Sequence, residues 1–351
     1  MMTRKLGGQA LGAGGVLLLA LTGCVETGRD SSPTGAADSE CPWDADDSID
    51  TAVTIAWQAS PTGDLVVKDK ALLETCMPNA DITWSQFSSG ADVIQAFGAN
   101  SADIGLIGSS PATIAVSQPL ELPIKVVWIQ EVIGEAESLV SRDPAITDVA
   151  GLAGKKIAVP FSSTAHYSLL QALEAEGVTD AQLINLAPDA MLAAWEGGEI
   201  DAAWVWNPVL GQLLENGETI YSSADTAAAG KPTYDLSAAT TAFIEENPEF
   251  MSQWARAQDH AVGLILDEPE DSSASIAIQM GISPDEAGDQ LAGYQYLRAA
   301  EQAGEQWLGG KLGTDLIATA GFLLEQGSIE GVSPEPAYLD AVDAGPASSV
   351  G

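Results

Sequence analysis

The chain has 351 residues, enough for two domains of ordinary size, and 46% hydrophobic residues, enough for a sizeable core. A formal charge of −37, with 50 acidic residues against 13 Lys and Arg, argues against nucleic acid as a partner and against docking on an anionic membrane through a basic patch. Two histidines and the lack of any CxxC motif speak against a metal centre, and no Gly-rich cofactor loop is present.

Arg4 and Lys5 precede an apolar run, Ala10 to Leu21, that is too short to span a bilayer and suits a signal peptide over residues 1–23. The run ends in Leu21-Thr22-Gly23-Cys24, which looks like a bacterial lipobox. That likeness implies lipid on Cys24, export, and anchorage to the outer face of the cell membrane through the lipid alone. Residues 24–50 are rich in Ser, Gly, Asp and Thr and read as a flexible tether. Outside the cytoplasm the two remaining cysteines, Cys41 and Cys76, read as a disulfide.

The fold begins with a β-branched strand at Ala52–Gln58, followed by a helical segment at Leu65–Cys76 and a strand at Ile82–Phe87. Ser88-Ser89-Gly90 then opens a helix. A strand at Ile104–Ile107 meets Gly108-Ser109-Ser110-Pro111, where Ser110 suits a helix cap and Pro111 the first helical position. Further strands at Ile124–Ile129 and Ser138–Ser141 lead out of the first domain. Lys156–Val159 is a short apolar run that stops at Pro160 and restarts as a helical pattern after Ser162, Ser163 and Thr164. Hydroxyls at a helix start cap one N–H, and the others face outward with the positive end of the dipole, an anion site without Lys or Arg. An ordinary capped helix is the alternative.

A strand at Leu183–Leu186, a helix at Asp189–Gly197 and a strand through Ile200–Asn207 follow, the last placing Trp204 and Trp206 on one face. One tryptophan then lines a cleft, and Trp204 suits the core. Near Asp235 the chain returns to the first domain. The rest is mostly helical, at Thr241–Leu266, Ser273–Met280 and Arg298–Gln326, and the Pro- and Ala-rich tail 333–351 need not be ordered. Strands alternating with helices indicate an α/β protein with parallel sheets. Lobe 1 is expected at 51–140 and 239–332, lobe 2 at 141–238, with hinges near 138–143 and 233–240.

Four stretches, Val53–Ser60, Gly105–Ala115, Lys155–Leu170 and Ala193–Pro208, resemble the nitrate/sulfonate/taurine family of solute-binding proteins of bacterial ABC importers, its taurine-binding branch in particular. The segments IAVPFSSTAHYSLL and AAW-x-x-G-x-ID-x-x-x-VW-x-P carry the likeness, which runs thinly from Val53 to Gln326. It implies a two-lobed type II periplasmic-binding fold, each lobe a mostly parallel sheet flanked by helices, with taurine or a related sulfonate between the lobes. It also implies permease and ATPase partners. Carried across residue by residue, Ser109 and Ser110 grip the sulfonate from one lobe, and Thr164, His166 and Tyr167 from the other. Asp235 meets the ammonium, with Glu137 as second candidate; Trp206 offers its π-face, and Gln58 and Ser89 add polar contacts. His166 also suits a plain helix histidine, and Asp235 a hinge turn. The chain departs from the family at Ser237, where an aromatic is expected, and at Trp57, where a tyrosine is.

An enzyme is the rival class, with His166 activating a nearby serine. No GxSxG turn supports it, and an all-hydroxyl anion site requires no nucleophile, so the expectation is a binding protein without cofactor. Another alkanesulfonate or small anion is the alternative ligand.

Overall fold

The computed structural model describes residues 40–350, so the signal-peptide and lipobox expectations, Cys24 included, lie outside the described residues. Eleven strands are described: β1 (Ala52–Trp57), β2 (Asp81–Gln86), β3 (Ile104–Gly108), β4 (Ile124–Ile133), β5 (Glu137–Ser141), β6 (Lys156–Val159), β7 (Gln182–Asn185), β8 (Ala202–Trp206), β9 (Glu218–Ser222), β10 (Tyr234–Thr240) and β11 (Tyr294–Gln295). They form two sheets, β11-β4-β10-β3-β1-β2 in lobe 1 and β7-β6-β8-β5-β9 in lobe 2. The central β3, Ile-Gly-Leu-Ile-Gly, is buried along its whole length, as a strand covered on both faces must be.

Most strands of each sheet run in one direction. The reversed ones are β10 and β11 in lobe 1 and β5 in lobe 2. This has a topological cause. The chain leaves lobe 1 from the carboxyl end of β4 and enters the second sheet at once as β5, then returns directly into β10. A strand entered from the cleft runs opposite to the strands that end there.

The crossings are therefore segments 134–136 and 229–233, and they correct the expected boundaries at 141 and 239. β5 pairs with β8 and β9 and belongs wholly to lobe 2, while β10 pairs with β3 and β4 and belongs wholly to lobe 1. The first crossing is packed tightly: a Cβ on Gly293 would come within 2.6 Å of Ala136, and one on Gly134 within 2.6 Å of the Gly293 carbonyl.

The described part of the expected tether is folded. Ile49 is buried, and the Trp43 indole donates to Gln253 Oε1 at 2.9 Å while the Arg256 guanidinium lies over its ring. Cys41 and Cys76 are joined, pinning this segment to lobe 1. Closing a loop of sequence separation 35 contributes roughly 3–4 kcal/mol in the chain-entropy model. The expected helix over 65–76 is two helices, Gly63–Asp69 and Leu72–Cys76, separated by Ala71 in the left-handed region. The segment 241–266 is likewise divided, at Asn247-Pro248, because proline cannot continue the ladder of the preceding turn.

The C-terminal segment is ordered too. It carries helices Glu335–Asp340 and Gly345–Ser348, buries Tyr338 completely, and bonds to β4 through Val126. Tyr338, Ala341 and Ala347 are buried in this docking, whereas Leu339 is exposed.

Candidate functional site

The carboxyl ends of β1, β3, β6 and β8 and the amino ends of the reversed β5, β10 and β11 converge between the lobes, the position at which open α/β sheets bind ligands. A narrow cavity lies there. Lobe 1 lines it with Gln58, Ser60, Gly90, Leu106, Gly108, Pro111, Ile133, Asp235 and Tyr294, and lobe 2 with Glu137, Ser163, Thr164 and Trp206. Its only charged residues are two acids. No Lys or Arg lines it. A second, more open cavity shares Gln58 and Trp206 with it and continues outward along Gln86, Phe87, Asp189 and Asn207.

Three helix N-termini bear on the inner cavity. In lobe 1, helix Gly90–Gly98 is capped by Ser89, whose hydroxyl accepts from the Asp92 N–H at 3.3 Å. Helix Ser109–Val116 has Gly108 at its cap position and no side-chain cap. The first-turn N–H groups of these helices have no partner within the helix. In lobe 2, helix Thr164–Ala175 is capped by Ser163, which accepts from the His166 N–H at 3.1 Å. Thr164, one residue later, points its hydroxyl at Glu137 and donates to Oε2 at 2.6 Å. Ser223 donates to the other oxygen, Oε1, at 2.7 Å, and the Ala165 N–H adds a third donor. The lobe 2 helix terminus is thus closed by a carboxyl of the protein's own.

The lobes touch at this point. A Cβ on Gly108 would lie 2.6 Å from Thr164 Cγ2, so only glycine permits the observed closure.

Burial without a neighbouring cation governs the acids. Glu137 is 2% exposed; burial pushes its carboxyl up to about 8, against the pull of the Thr164 and Ser223 hydroxyls. Asp235 is pushed up to about 6 by burial, offset in part by a hydrogen bond with Glu131. Glu131 is its cross-strand partner on β4, fully buried, and raised well above the usual range by burial and by the Asp235 charge. Both Glu131 oxygens are buried without a geometric hydrogen-bond partner, which favours its protonated form. Burial and then the same acids push the Tyr294 phenol well up, so it remains neutral.

Of the residues expected at the ligand, the structure brings Gln58, Glu137, Thr164, Trp206 and Asp235 to the cavity wall. Gln58 Nε2 donates to the Leu106 carbonyl at 2.7 Å, which fixes its amide. The others do not line the cavity. Ser89 is occupied in capping, beside Gly90, which does line it. The Ser109 hydroxyl accepts from the Tyr234 N–H at 3.2 Å, and Ser110, expected as a cap, lies inside the helix with a buried hydroxyl that has no partner. His166 accepts from the Ser162 N–H at its Nδ1 and stacks on Phe161 with centroids 4.5 Å apart. Burial pushes it down to about 4, so it is neutral. Tyr167 packs edge-on against Phe322 of helix Lys311–Glu325, a contact between the lobes. Trp204 is fully buried, as its core reading requires, and Ser237 is buried against Gln130, away from the cavity.

Sequence reasoning missed Ser60, Tyr294, Ser223 and Glu131. Ser60 closes a stretch already singled out, and its buried hydroxyl has no hydrogen-bond partner. Tyr294 comes from a two-residue strand within a helical region, which has no periodic signature. Ser223 follows the Ser222 capping box, a local signal that marks a helix start and says nothing of Glu137.

Comparison with known proteins gives a consistent neighbourhood. The family described as NMT1/THI5 like matches residues 80–272. The taurine-binding periplasmic protein of Escherichia coli (strain K12) is 33% identical over 290 residues, covering 80% of this chain and 88% of that one. Among solved structures, the alkanesulfonate-binding protein SsuA from Xanthomonas axonopodis pv. citri bound to MOPS superposes with a TM-score of 0.67 at 23% identity, over 82% of this chain and 97% of that one. The periplasmic nitrate-binding protein NrtA from Synechocystis PCC 6803 does so with a TM-score of 0.67 at 15% identity, over 83% and 86%. These two likenesses concern the fold alone.

Proposed function

The chain belongs to the NMT1/THI5-like family, together with the E. coli taurine-binding periplasmic protein, and from that premise we propose that it is the solute-binding protein of an ABC importer whose ligand is taurine. In this reading the protein is exported and held to the outer face of the membrane by lipid on Cys24. It traps its ligand between the lobes and delivers it to permease and ATPase subunits.

The observation that carries the ligand assignment is the make-up of the inner cavity. Helix N-termini from lobe 1 offer donors for a permanently ionised sulfonate, and Glu137 and Asp235 offer two carboxyls for an ammonium. Trp206 supplies an aromatic face beside them. A small zwitterion satisfies both sets. Enclosure by both lobes suits capture by hinge closure.

Calorimetric titration with taurine, ethanesulfonate, nitrate and sulfate tests this. Taurine binding at one site per chain without turnover is the expected result. Preference for nitrate or sulfate would overturn the ligand assignment. Turnover of a sulfonate would overturn the binding class, in which His166, neutral and engaged with the Ser162 N–H, serves as a structural residue. Membrane association that persists in Cys24→Ser would overturn the lipid anchor.

A further inference from the structure

Tyr167 follows Thr164 by three residues on helix Thr164–Ala175, yet it lines no part of the cavity and enters lobe 1 instead. Only 3% exposed, it joins an apolar cluster built from lobe 1, with Val116, Leu316, Ala320, Leu323 and Tyr338 among its members. Tyr167 is the sole lobe 2 member of that cluster among the described residues. Its ring meets Phe322 edge-on with centroids 5.3 Å apart, and its hydroxyl lies beside Thr319. Asp315, Thr319, Phe322 and Gln326, spaced as one helix face requires, form the lobe 1 side of this boundary on and just after helix Lys311–Glu325. Asp315 accepts from the Tyr234 hydroxyl at 2.7 Å, beside the second crossing, and Gln326 Nε2 donates to Glu174 Oε2 of lobe 2 at 3.4 Å. The stripe thus runs from the hinge to the last turn of the lobe 2 helix.

We propose that this helix pair is a latch between the lobes. Tyr167, seated in its lobe 1 socket, holds part of the ligand-free population closed and slows reopening once a ligand is trapped. It thereby sets the affinity for every ligand of the cleft without touching any. The proposal rests on the two-lobed binding-protein reading above and is indifferent to which sulfonate is bound.

The physical reason is that closure contact and socket contact share one rigid helix. Thr164 stands against Gly108 at the cavity, and Tyr167 lies within a turn of it. A rotation at the crossings that draws Thr164 away from Gly108 therefore draws Tyr167 with it. Opening returns the phenol ring and the wall of its socket to water, which the burial of apolar area opposes. A contact present in the closed form and lost in the open one shifts the equilibrium between them, whatever occupies the cavity. Weakening it lowers the closed fraction and weakens all ligands by one common factor. Polar contacts made only at the cavity wall would instead weaken one ligand more than another.

The test is stopped-flow dissociation of taurine and ethanesulfonate, with small-angle scattering of the ligand-free protein, on native chain, Tyr167→Ala, Tyr167→Phe and Phe322→Ala. Tyr167→Ala should release each ligand at least 10-fold faster and leave the ratio of the two affinities unchanged. Without ligand it should also be more extended than the native protein. Tyr167→Phe keeps the ring in its socket and should stay within about threefold of native rates, as an aromatic contact retained. Phe322 is half-buried, so Phe322→Ala removes the partner from lobe 1 and should speed release in the same way even where Tyr167→Ala fails to fold. Native dissociation rates in both alanine variants would show a pivot that persists on opening, and would overturn the latch. A changed ratio of affinities in Tyr167→Ala would mean that the residue reads the ligand, and would equally overturn it. Binding of neither ligand by the native protein would overturn the sulfonate reading alone. The latch is then decided by ligand-free scattering, where equal dimensions of native protein and both alanine variants would sink it.

Discussion

Two helix starts face each other across the cleft, and they differ in what they hold. Helix Ser109–Val116 in lobe 1 begins at Gly108 with no side chain on its first-turn donors. Helix Thr164–Ala175 in lobe 2 begins with Ser163 and Thr164, and its terminus is closed by Glu137, 27 residues earlier in the chain. Locally the second is the stronger anion site, since it has more hydroxyls. In the folded protein it is the one already occupied. The capacity of a helix terminus to bind an anion is local, but whether a ligand can use it depends on which side chains the tertiary fold brings to the same donors.

The largest expected effect follows from the carboxyl that closes the lobe 2 terminus. Glu137 is raised from its ordinary 4.5 to about 8, so between those values the folded protein holds a proton that the unfolded chain has lost. Stability is then greatest at or below about pH 4.5 and falls as pH rises to 8, by on the order of 4 kcal/mol from this group in the ligand-free protein. Urea midpoints measured from pH 5 to pH 9 should decline in the native protein. They should decline less in Glu137→Gln. Parallel curves would show that Glu137 is already ionised when the cleft is closed and empty.

Next in size is the acid on the opposite wall. Asp235→Asn should weaken taurine by roughly 1.5–3 kcal/mol, as for a lost charge-assisted bond, and affect ethanesulfonate far less. Equal losses for the two ligands in calorimetry would mean that this carboxylate does not read the amine.

The contact that sets the two termini against each other can be broken directly. Gly108→Ala places a methyl 2.6 Å from Thr164 Cγ2, and overpacking of this kind costs roughly 1–3 kcal/mol. The cost falls on closure, so both ligands should lose affinity alike, and small-angle scattering should show less compaction on ligand addition. Unchanged affinity would show that the lobes close farther apart than described.

The smallest effect belongs to the lobe 1 helix. The Ser110 hydroxyl is buried and makes no hydrogen bond within the protein, so Ser110→Ala should alter stability by less than ~1 kcal/mol. A thermal shift of several degrees would reveal a partner for that hydroxyl.

Much of this protein is determined by its sequence alone. Strand-hydroxyl-helix units follow from β-branched runs, prolines and capping residues, all of which act over a few residues. They place Gln58, Thr164 and Trp206 at strand ends, hence at the cleft; Trp204 and Trp206 share a face of β8, and it is position along the strand that leaves Trp204 buried and brings Trp206 to the cavity. Which residue caps each helix was less legible: Ser163, one of three hydroxyls at the helix start, is the cap in lobe 2, and in lobe 1 Gly108 holds that position two residues before the expected Ser110, because only backbone geometry fixes the register.

Tertiary structure decided the rest. The crossings lie earlier than composition suggested because β5 and β10 are recruited by pairing partners far away in the chain. Ser109 and Tyr167 were drawn off to Tyr234 and Phe322, through long-range contacts that no local pattern encodes, while His166 turned back on its own neighbours Phe161 and Ser162. The acids of the site, Glu131, Glu137 and Asp235, come from three strands in two lobes. Their charge states depend on burial and on one another, so their chemistry exists only once those strands have met.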